Sequence, residues 1–367
     1  MAVVNRWGWV GVALSLLPLT GCPALSRDRP DVPTAVMVEF IEPTSVDQWT
    51  MPEPLLFETA ADFSEGMAAV RWDDRLAYID HGGSLTVAVA DANIEVVGNF
   101  VEGRAVARAG EYYGYIDTTG DWRIQIQFRQ AKDFSEGLAA VQKERFYGFI
   151  NRQGDWVVEP QFELADGFAQ GLAAVKQDGL YGYVDITGAI AIPVQFRDAW
   201  QFANDRAVVK VDGNHGYIDP SGAISIPLVW DGAFTFSEGL ARVRRGSQWG
   251  FIDPNGEVAI DLQFDYASDF SEQRAVVLQG GRWGYVNPQG VLAIQGDFAY
   301  AADFSEGLAA VQIGGQYGYI NTDGTLVIPP QFQNAGPFSE GLARVQVDNR
   351  WGFIDPAGHF ITGTDGR

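Results

Sequence analysis

The chain has 367 residues, more than a single typical core uses, so several domains or one long repeat array are the prior expectations. Its 47 acidic against 25 basic residues give a net charge of −22, a field that repels phosphate backbones and argues against a nucleic-acid partner. Abundant glycine (43) and aromatic residues (13%), scarce methionine (4) and the lack of helical periodicity point away from helix.

Residues 1–21 read as a short signal peptide: Arg6, then an apolar run from Trp7 to Leu17 too short to span a bilayer comfortably. The run stops at Leu19-Thr20-Gly21-Cys22, which resembles the bacterial lipobox, where small residues precede a cysteine that is diacylated and becomes the mature terminus. Cys22 is the only cysteine, so no intramolecular disulfide forms, and it stands at the one position that motif requires. The resemblance implies lipid attachment at Cys22 and tethering to a membrane, at about 0.8 kcal/mol per buried methylene. In a Gram-negative host it implies the outer membrane, because Pro23 rather than aspartate follows the cysteine. Residues 22–54 carry Pro23, Pro30, Pro33, Pro43, Pro52 and Pro54 with little periodicity and read as a tether.

From residue 55 to 367 the chain repeats itself. Phe100, Phe134, Phe168, Phe202, Phe236, Phe270, Phe304 and Phe338 step by 34 residues, and Phe63 precedes them by 37. Gly114, Gly148, Gly182, Gly216, Gly250, Gly284, Gly318 and Gly352 keep the same step. Three short strands are expected per unit. The first follows the phrase Phe-Ser-Glu-Gly-Leu-Ala, complete at 134–139, 236–241, 304–309 and 338–343, whose Gly suits a positive-φ position. A hairpin turn follows, as in Asp178-Gly179, Asp212-Gly213, Gly280-Gly281 and Gly314-Gly315. The second strand is aromatic-Gly-aromatic-Ile-Asp/Asn, as in Trp249-Gly250-Phe251-Ile252-Asp253, its bare glycine patch open to cover by a large ring from a neighbouring strand.

The next turn, as in Asp253-Pro254-Asn255-Gly256, has type I preferences, which makes its Asp a turn acceptor rather than a catalytic carboxylate. In the third strand Trp122, Ile124, Ile126 and Phe128 alternate with Arg123, Gln125 and Gln127, the period of a strand with one buried face.

Together the aromatic-Gly dipeptide, the Ile-Asp after it, the Gly-x-x-x-Ile-x-Pro-x-Phe stretch and the Phe-Ser-Glu-Gly-Leu-Ala phrase resemble the bacterial WG (KWG) repeat family over roughly residues 55–360. The resemblance implies a β-repeat fold and interaction roles. Leu76-Ala77 in the first unit and His215 in another depart from it, so those units are expected to be looser caps.

The expected fold is all-β: about nine three-stranded antiparallel units, each stable only against its neighbours. An open, solenoid-like superhelix is expected over a closed propeller, whose blades typically have four strands. Pro54-Leu55-Leu56-Phe57 and Phe360-Ile361-Thr362 nevertheless match the end and start of a third strand, and such termini complete one split unit when a ring closes.

No nucleophile–base pair or phosphate loop stands out, and no cofactor is expected. His81, His215 and His359 fall in three different columns, so no repeated metal site uses them. Glu65, Glu102, Glu136, Glu238, Glu272, Glu306 and Glu340 sit in a turn beside Ser, where a carboxylate accepts backbone N–H groups; a calcium row and a hydrolase pair are the alternatives. Gln127, Gln161, Gln195, Gln263 and Gln331 suggest an outward ladder or a polar binding strip. Trp200 and Phe234 break a column held elsewhere by Lys132, Asp166, Ser268, Ala302 and Gly336, and are the binding candidates.

The expected function is a non-catalytic, lipid-anchored envelope scaffold for a protein or polysaccharide partner. A structural subunit of an outer-membrane assembly and a carboxylate-based envelope hydrolase are the alternatives.

Overall fold

The 34-residue units form nine sheets, one per unit, each with its strands antiparallel and in chain order. The computed structural model describes residues 36–37, 55–89, 91 and 93–362; the expected signal peptide, Cys22 and most of the tether lie outside the described residues. From the tether stretch, Val36–Met37 pairs in parallel with Ile294 and Gln295 at the edge of the seventh sheet.

The sixth unit shows the pattern: Gly232–Ala233, Ala241–Arg245, Gln248–Ile252 and Val258–Phe264. There are four strands, not three. The additional one precedes the Phe-Ser-Glu-Gly phrase, and two residues are too few to show alternation in the sequence. It pairs through Gly232↔Arg244 and Ala233↔Val243.

The array closes into a nine-bladed β-propeller rather than an open superhelix. The ninth sheet contributes three consecutive strands, Asn334–Ser339, Leu342–Val347 and Arg350–Ile354. Its fourth is assembled from both ends of the array: Phe360 bridges Ile354, and Phe57 bridges Trp351. An open array would leave one apolar face bare at each end. Closure instead buries Phe57, Phe63 and Ala68 with Leu342 and Phe353 in one cluster. A ring has no caps, so the first unit and the His215 unit are ordinary blades; His215 is buried, its Nδ1 3.4 Å from the Trp230 carbonyl.

The glycine of the aromatic-Gly dipeptide has a different reason from the one expected. Trp249 pairs with Phe264 and Phe251 with Ile260, so the fourth strand bulges opposite Gly250. A Cβ there would lie 2.6 Å from the Ile260 carbonyl oxygen and 2.8 Å from the Leu262 nitrogen. In most blades it is thus main chain, not a ring, that covers the glycine; Gly352, against Phe360, follows the expectation. The bulge also interrupts the alternation of that strand: Ile124 and Phe128 are buried, whereas Ile126 is exposed.

Blades are joined by contacts that repeat at the 34-residue step. Ser237 Oγ donates to the Phe270 carbonyl at 2.6 Å and Tyr217 OH to the Phe234 carbonyl at 2.7 Å, each reaching the stretch just after the first strand of the next blade. Equivalent residues of adjacent blades touch in this way along the first strands and their turns, which therefore form the tight inner edge. The fourth strands, with every second residue exposed, form the outer edge. Pro160, Pro193, Pro227 and Pro329 interrupt that edge and remove N–H groups that would otherwise recruit another strand.

Candidate functional site

Antiparallel order puts two kinds of turn at each end of the ring. One end carries the turns between first and second strands and the Asp turns between third and fourth. The other carries the turns between second and third strands and the links to the next blade.

At the first end, the glutamate column is structural. Glu238 and Gly239 both have positive φ (50° and 84°), as a type I′ hairpin turn requires. A non-glycine residue in that conformation costs roughly 1–2 kcal/mol. What offsets it is the carboxylate, which accepts the Glu272 and Gln273 N–H groups of the next blade, both at 2.8 Å. Glu136 does the same for Gln170 and Gly171 (2.7 and 2.9 Å) and Glu65 for Glu102 and Gly103 (2.5 and 2.9 Å). Glu102, Glu272, Glu306 and Glu340 reach Gly137, Gly307, Gly341 and Gly66. Where the phrase reads Ala203-Asn204, the Asn204 amide donates to the Phe236 carbonyl at 2.9 Å, the bond that Ser237 makes to the Phe270 carbonyl one blade on.

The Asp turns behave as expected from sequence. Asp253 Oδ1 accepts the Asn255 and Glu257 N–H groups at 2.9 Å, and these bonds, Glu257's foremost, hold its carboxyl below the ordinary value. Among the described residues no group of three or more His, Cys, Asp or Glu is placed to hold a metal ion. His81 stacks on Phe63 at 4.7 Å and lies 3.2 Å from the Glu340 carboxylate. The glutamines do not form a ladder with one another: Gln263 accepts from Gln279 at 3.4 Å, and Gln127 donates to the Gln125 carbonyl at 3.5 Å.

Of the two candidate rings, Trp200 packs on His215 of its own blade at 5.6 Å. Phe234 packs on Trp249 at 5.6 Å, under the Arg242 guanidinium at 3.8 Å. The two rings are not stacked on each other; each serves its own blade.

Phe234 is, however, one end of a longer aromatic band that the sequence reading missed. At the second end of the ring, residues directly opposite one another across the first three strands share a face. In blade 7 that row is Tyr266–Leu278–Trp283, and in blade 8 it is Tyr300–Gln312–Tyr317. Both rows therefore hold two rings. The rings continue across the blade boundaries: Trp249 to Tyr266 at 6.3 Å, Tyr266 to Trp283 at 5.6 Å, Trp283 to Tyr300 at 5.7 Å and Tyr300 to Tyr317 at 6.2 Å. Tyr266 is 38% exposed, and the other rings of the band are partly exposed. Burial raises the phenol of Tyr300 to about 12, with neighbouring Tyr266 and Asp303 adding to the effect, so it stays a neutral hydroxyl at physiological pH.

A second missed feature is Arg242, in a column that reads Ala69, Val106, Ala140, Ala174, Val208, Arg242, Val276, Ala310, Arg344. Arg242 pairs with Asp269 at 2.8 Å and donates to the Ala267 carbonyl at 2.9 Å. Arg344 repeats the arrangement on Asp62 (2.7 Å) and the Ala60 carbonyl (2.9 Å) across the closure. The two breaks in an Ala/Val column were visible at the 34-residue step. Chemically, the band offers ring faces for stacking, with guanidinium, amide and hydroxyl donors around it.

The profile described as "WG containing repeat" matches residues 113–145, 147–181, 181–214, 216–248, 249–283, 283–317 and 317–351. A search of curated proteins gave no match. Among solved structures, the chain is similar in fold to a eukaryotic initiation factor at a TM-score of 0.59 and 9% identity, covering 80% of this chain and 94% of that one. The C-terminal WD40 domain of Sif2 matches at 0.42 and 11% identity, covering 73% and 97%. Hsv2p of Kluyveromyces lactis matches at 0.39 and 9% identity, covering 66% and 96%.

Proposed function

The chain belongs to the WG containing repeat family, and from that premise we propose that it is a lipid-anchored envelope protein whose propeller is a non-catalytic binding scaffold. The observation that carries the scaffold reading is the aromatic band. A ring of nearly identical blades needs no second aromatic residue in a row, yet blades 7 and 8 each have one, and their rings stay partly exposed. Exposed contiguous aromatic surface of this kind marks a place where something docks.

The carboxylates once considered for hydrolysis support the same reading, since Glu136 and Glu238 each spend both oxygens on the next blade's main chain. Anchoring rests on Leu19-Thr20-Gly21-Cys22 and the proline-rich stretch behind it. It places the propeller on the envelope, in a Gram-negative host at the outer membrane, with a protein or polysaccharide as partner.

Cell fractionation of the wild-type chain and Cys22→Ser tests the anchor. Wild type is expected in the membrane pellet and labelled by radioactive palmitate, and the variant in the soluble fraction and unlabelled. Equal pelleting of both, without label, removes the anchor from the proposal. Cross-linking in intact envelopes tests the scaffold: adducts are expected, and none under conditions that capture a control lipoprotein's partner removes it.

A further inference from the structure

The turns between second and third strands differ around the ring in their charge. In blades 1 to 5 and 9 each carries an acid: Asp73 and Asp74, Glu111, Glu144, Asp178, Asp212 and Asp348. In blades 6, 7 and 8 they read Gly246-Ser247, Gly280-Gly281 and Gly314-Gly315, without a carboxylate. Those same three blades carry the aromatic band.

Two carboxylates from the preceding link segments bind these turns and keep their charge, each with an oxygen turned onto a main-chain N–H group. Asp231 accepts the Gly246 N–H at 2.6 Å and Asp265 the Gly280 N–H at 2.9 Å. Asp297, in the outward column of the fourth strand, is exposed. Arg244 lies beside the Trp249 ring, and Arg282 directly precedes Trp283, whereas Arg245 faces blade 5. Arg244 is held in place by donating to the Gly246 and Asp231 carbonyls at 2.8 and 3.3 Å, its guanidinium 5.8 Å from the Trp249 ring. Arg245 lies over Trp230 at 4.6 Å, and Gln248, Gln279, Arg282 and Gln316 are exposed beside the band.

We propose that the band on blades 6 to 8 binds a carboxylate-bearing glycan, its sugar faces stacked on Trp249, Tyr266, Trp283 and Tyr300 and its acids met by Arg244 and Arg282. This rests on the scaffold reading and names its ligand class. Pyranose rings have one apolar face and a rim of hydroxyls, which matches rings bordered by amide and guanidinium donors. An acidic chain meets a carboxylate at the same turn in each of the other six blades, offset in blade 3 by Lys143 and Arg145. Here it meets glycine turns and two arginines, in a protein whose net charge is −22.

The test is a titration of the full-length protein, followed by tryptophan fluorescence, with oligogalacturonate and with a neutral cello-oligosaccharide of equal length. Oligogalacturonate is expected to change the emission saturably and to bind more weakly as salt rises, with the neutral oligomer at least about tenfold weaker. Tyr266→Ala and Tyr300→Ala are each expected to weaken binding about tenfold. Arg282→Gln should weaken oligogalacturonate alone. Circular dichroism and the unfolding midpoint check that the variants keep the fold, and Tyr300→Phe serves where the alanine variant does not.

No emission change with either oligomer, equal binding of the two, or unchanged binding by folded Tyr266→Ala overturns the proposal. Envelope cross-linking by a Tyr266→Ala/Tyr300→Ala double variant separates it from the scaffold reading. A protein adduct retained by that variant, with no glycan binding by wild type, overturns the glycan and leaves the scaffold standing.

Discussion

Phe57 and Trp351, from opposite ends of the array, exchange both of their backbone hydrogen bonds, at 2.7 and 2.8 Å. The ring closes there, and the closing residue is an ordinary member of its column: Phe57, Ile94, Phe128, Phe162, Phe196, Trp230, Phe264, Phe298 and Phe332. The closing strand thus uses the side-chain chemistry of every other fourth strand.

Phe57 is 2% exposed, so Phe57→Ala should cost about 3–5 kcal/mol of local stability as a buried aromatic truncation. Small-angle scattering provides the check. The variant is expected to show a larger radius of gyration at moderate urea, where wild type stays closed, and unchanged dimensions would mean that the seam does not depend on this ring.

Glu238→Gly separates strain from clasp. Glycine removes the left-handed strain but leaves the Glu272 and Gln273 N–H groups without their carboxylate. A net loss of about 1–2 kcal/mol is expected, since a hydrogen bond to a charged group outweighs the strain. A higher urea midpoint for the variant would show that the clasp contributes less than the strain costs.

Two glycines of one blade should respond differently to alanine. At Gly250 the added Cβ would meet main-chain atoms 2.6 to 2.9 Å away, which cannot move without breaking the bulge. At Gly239, φ is 84° but nothing lies within 4 Å, so the cost is the conformational one of about 1 kcal/mol. Chemical denaturation of both variants should rank Gly250→Ala well below Gly239→Ala.

Burial raises the Asp133 carboxyl above its ordinary 3.8. Between 3.8 and that raised value the folded chain binds the extra proton, so stability falls as pH rises through this window and stays lower above it. Asp133→Asn should therefore raise the unfolding midpoint at pH 7, and the gain should vanish below 3.8. Asp253 has the opposite sign. Its lowered carboxyl stabilises the fold above 3.8 and loses that contribution as pH falls through the folded value. Asp253→Ala should lower the midpoint at pH 7 and approach wild type in strong acid.

Much of this was legible in the 34-residue columns. The positive-φ phrase, the glycine hairpins and the Asp acceptors are local chemistry, and local chemistry is written in single residues. The matching ends at Phe57 and Phe360 were legible too, although closure depends on the curvature accumulated over nine blades, which no column encodes.

The first strand of each blade was not legible, because Gly232–Ala233 and most of its counterparts have two residues, too few to show a period. Missing it concealed the band. Tyr266 and Tyr300 stand in a column otherwise held by Thr59, Val96, Gln130, Leu164, Asp198, Gly232 and Asn334, and a break in a column carries meaning only once its residues are known to share a row. Trp200 and Phe234 were noticed because they break the column just after that strand, but adjacency in the column did not bring the two rings together.

The glutamate clasps grip main-chain N–H groups, which every non-proline residue supplies whatever its side chain. A blade therefore does not need to recognise which sibling follows it. A duplicated or lost unit leaves a lineage with a ring of a different size and the same joints, so ancestry by unit copying is open to this fold, while side chains elsewhere on each blade drift toward separate tasks.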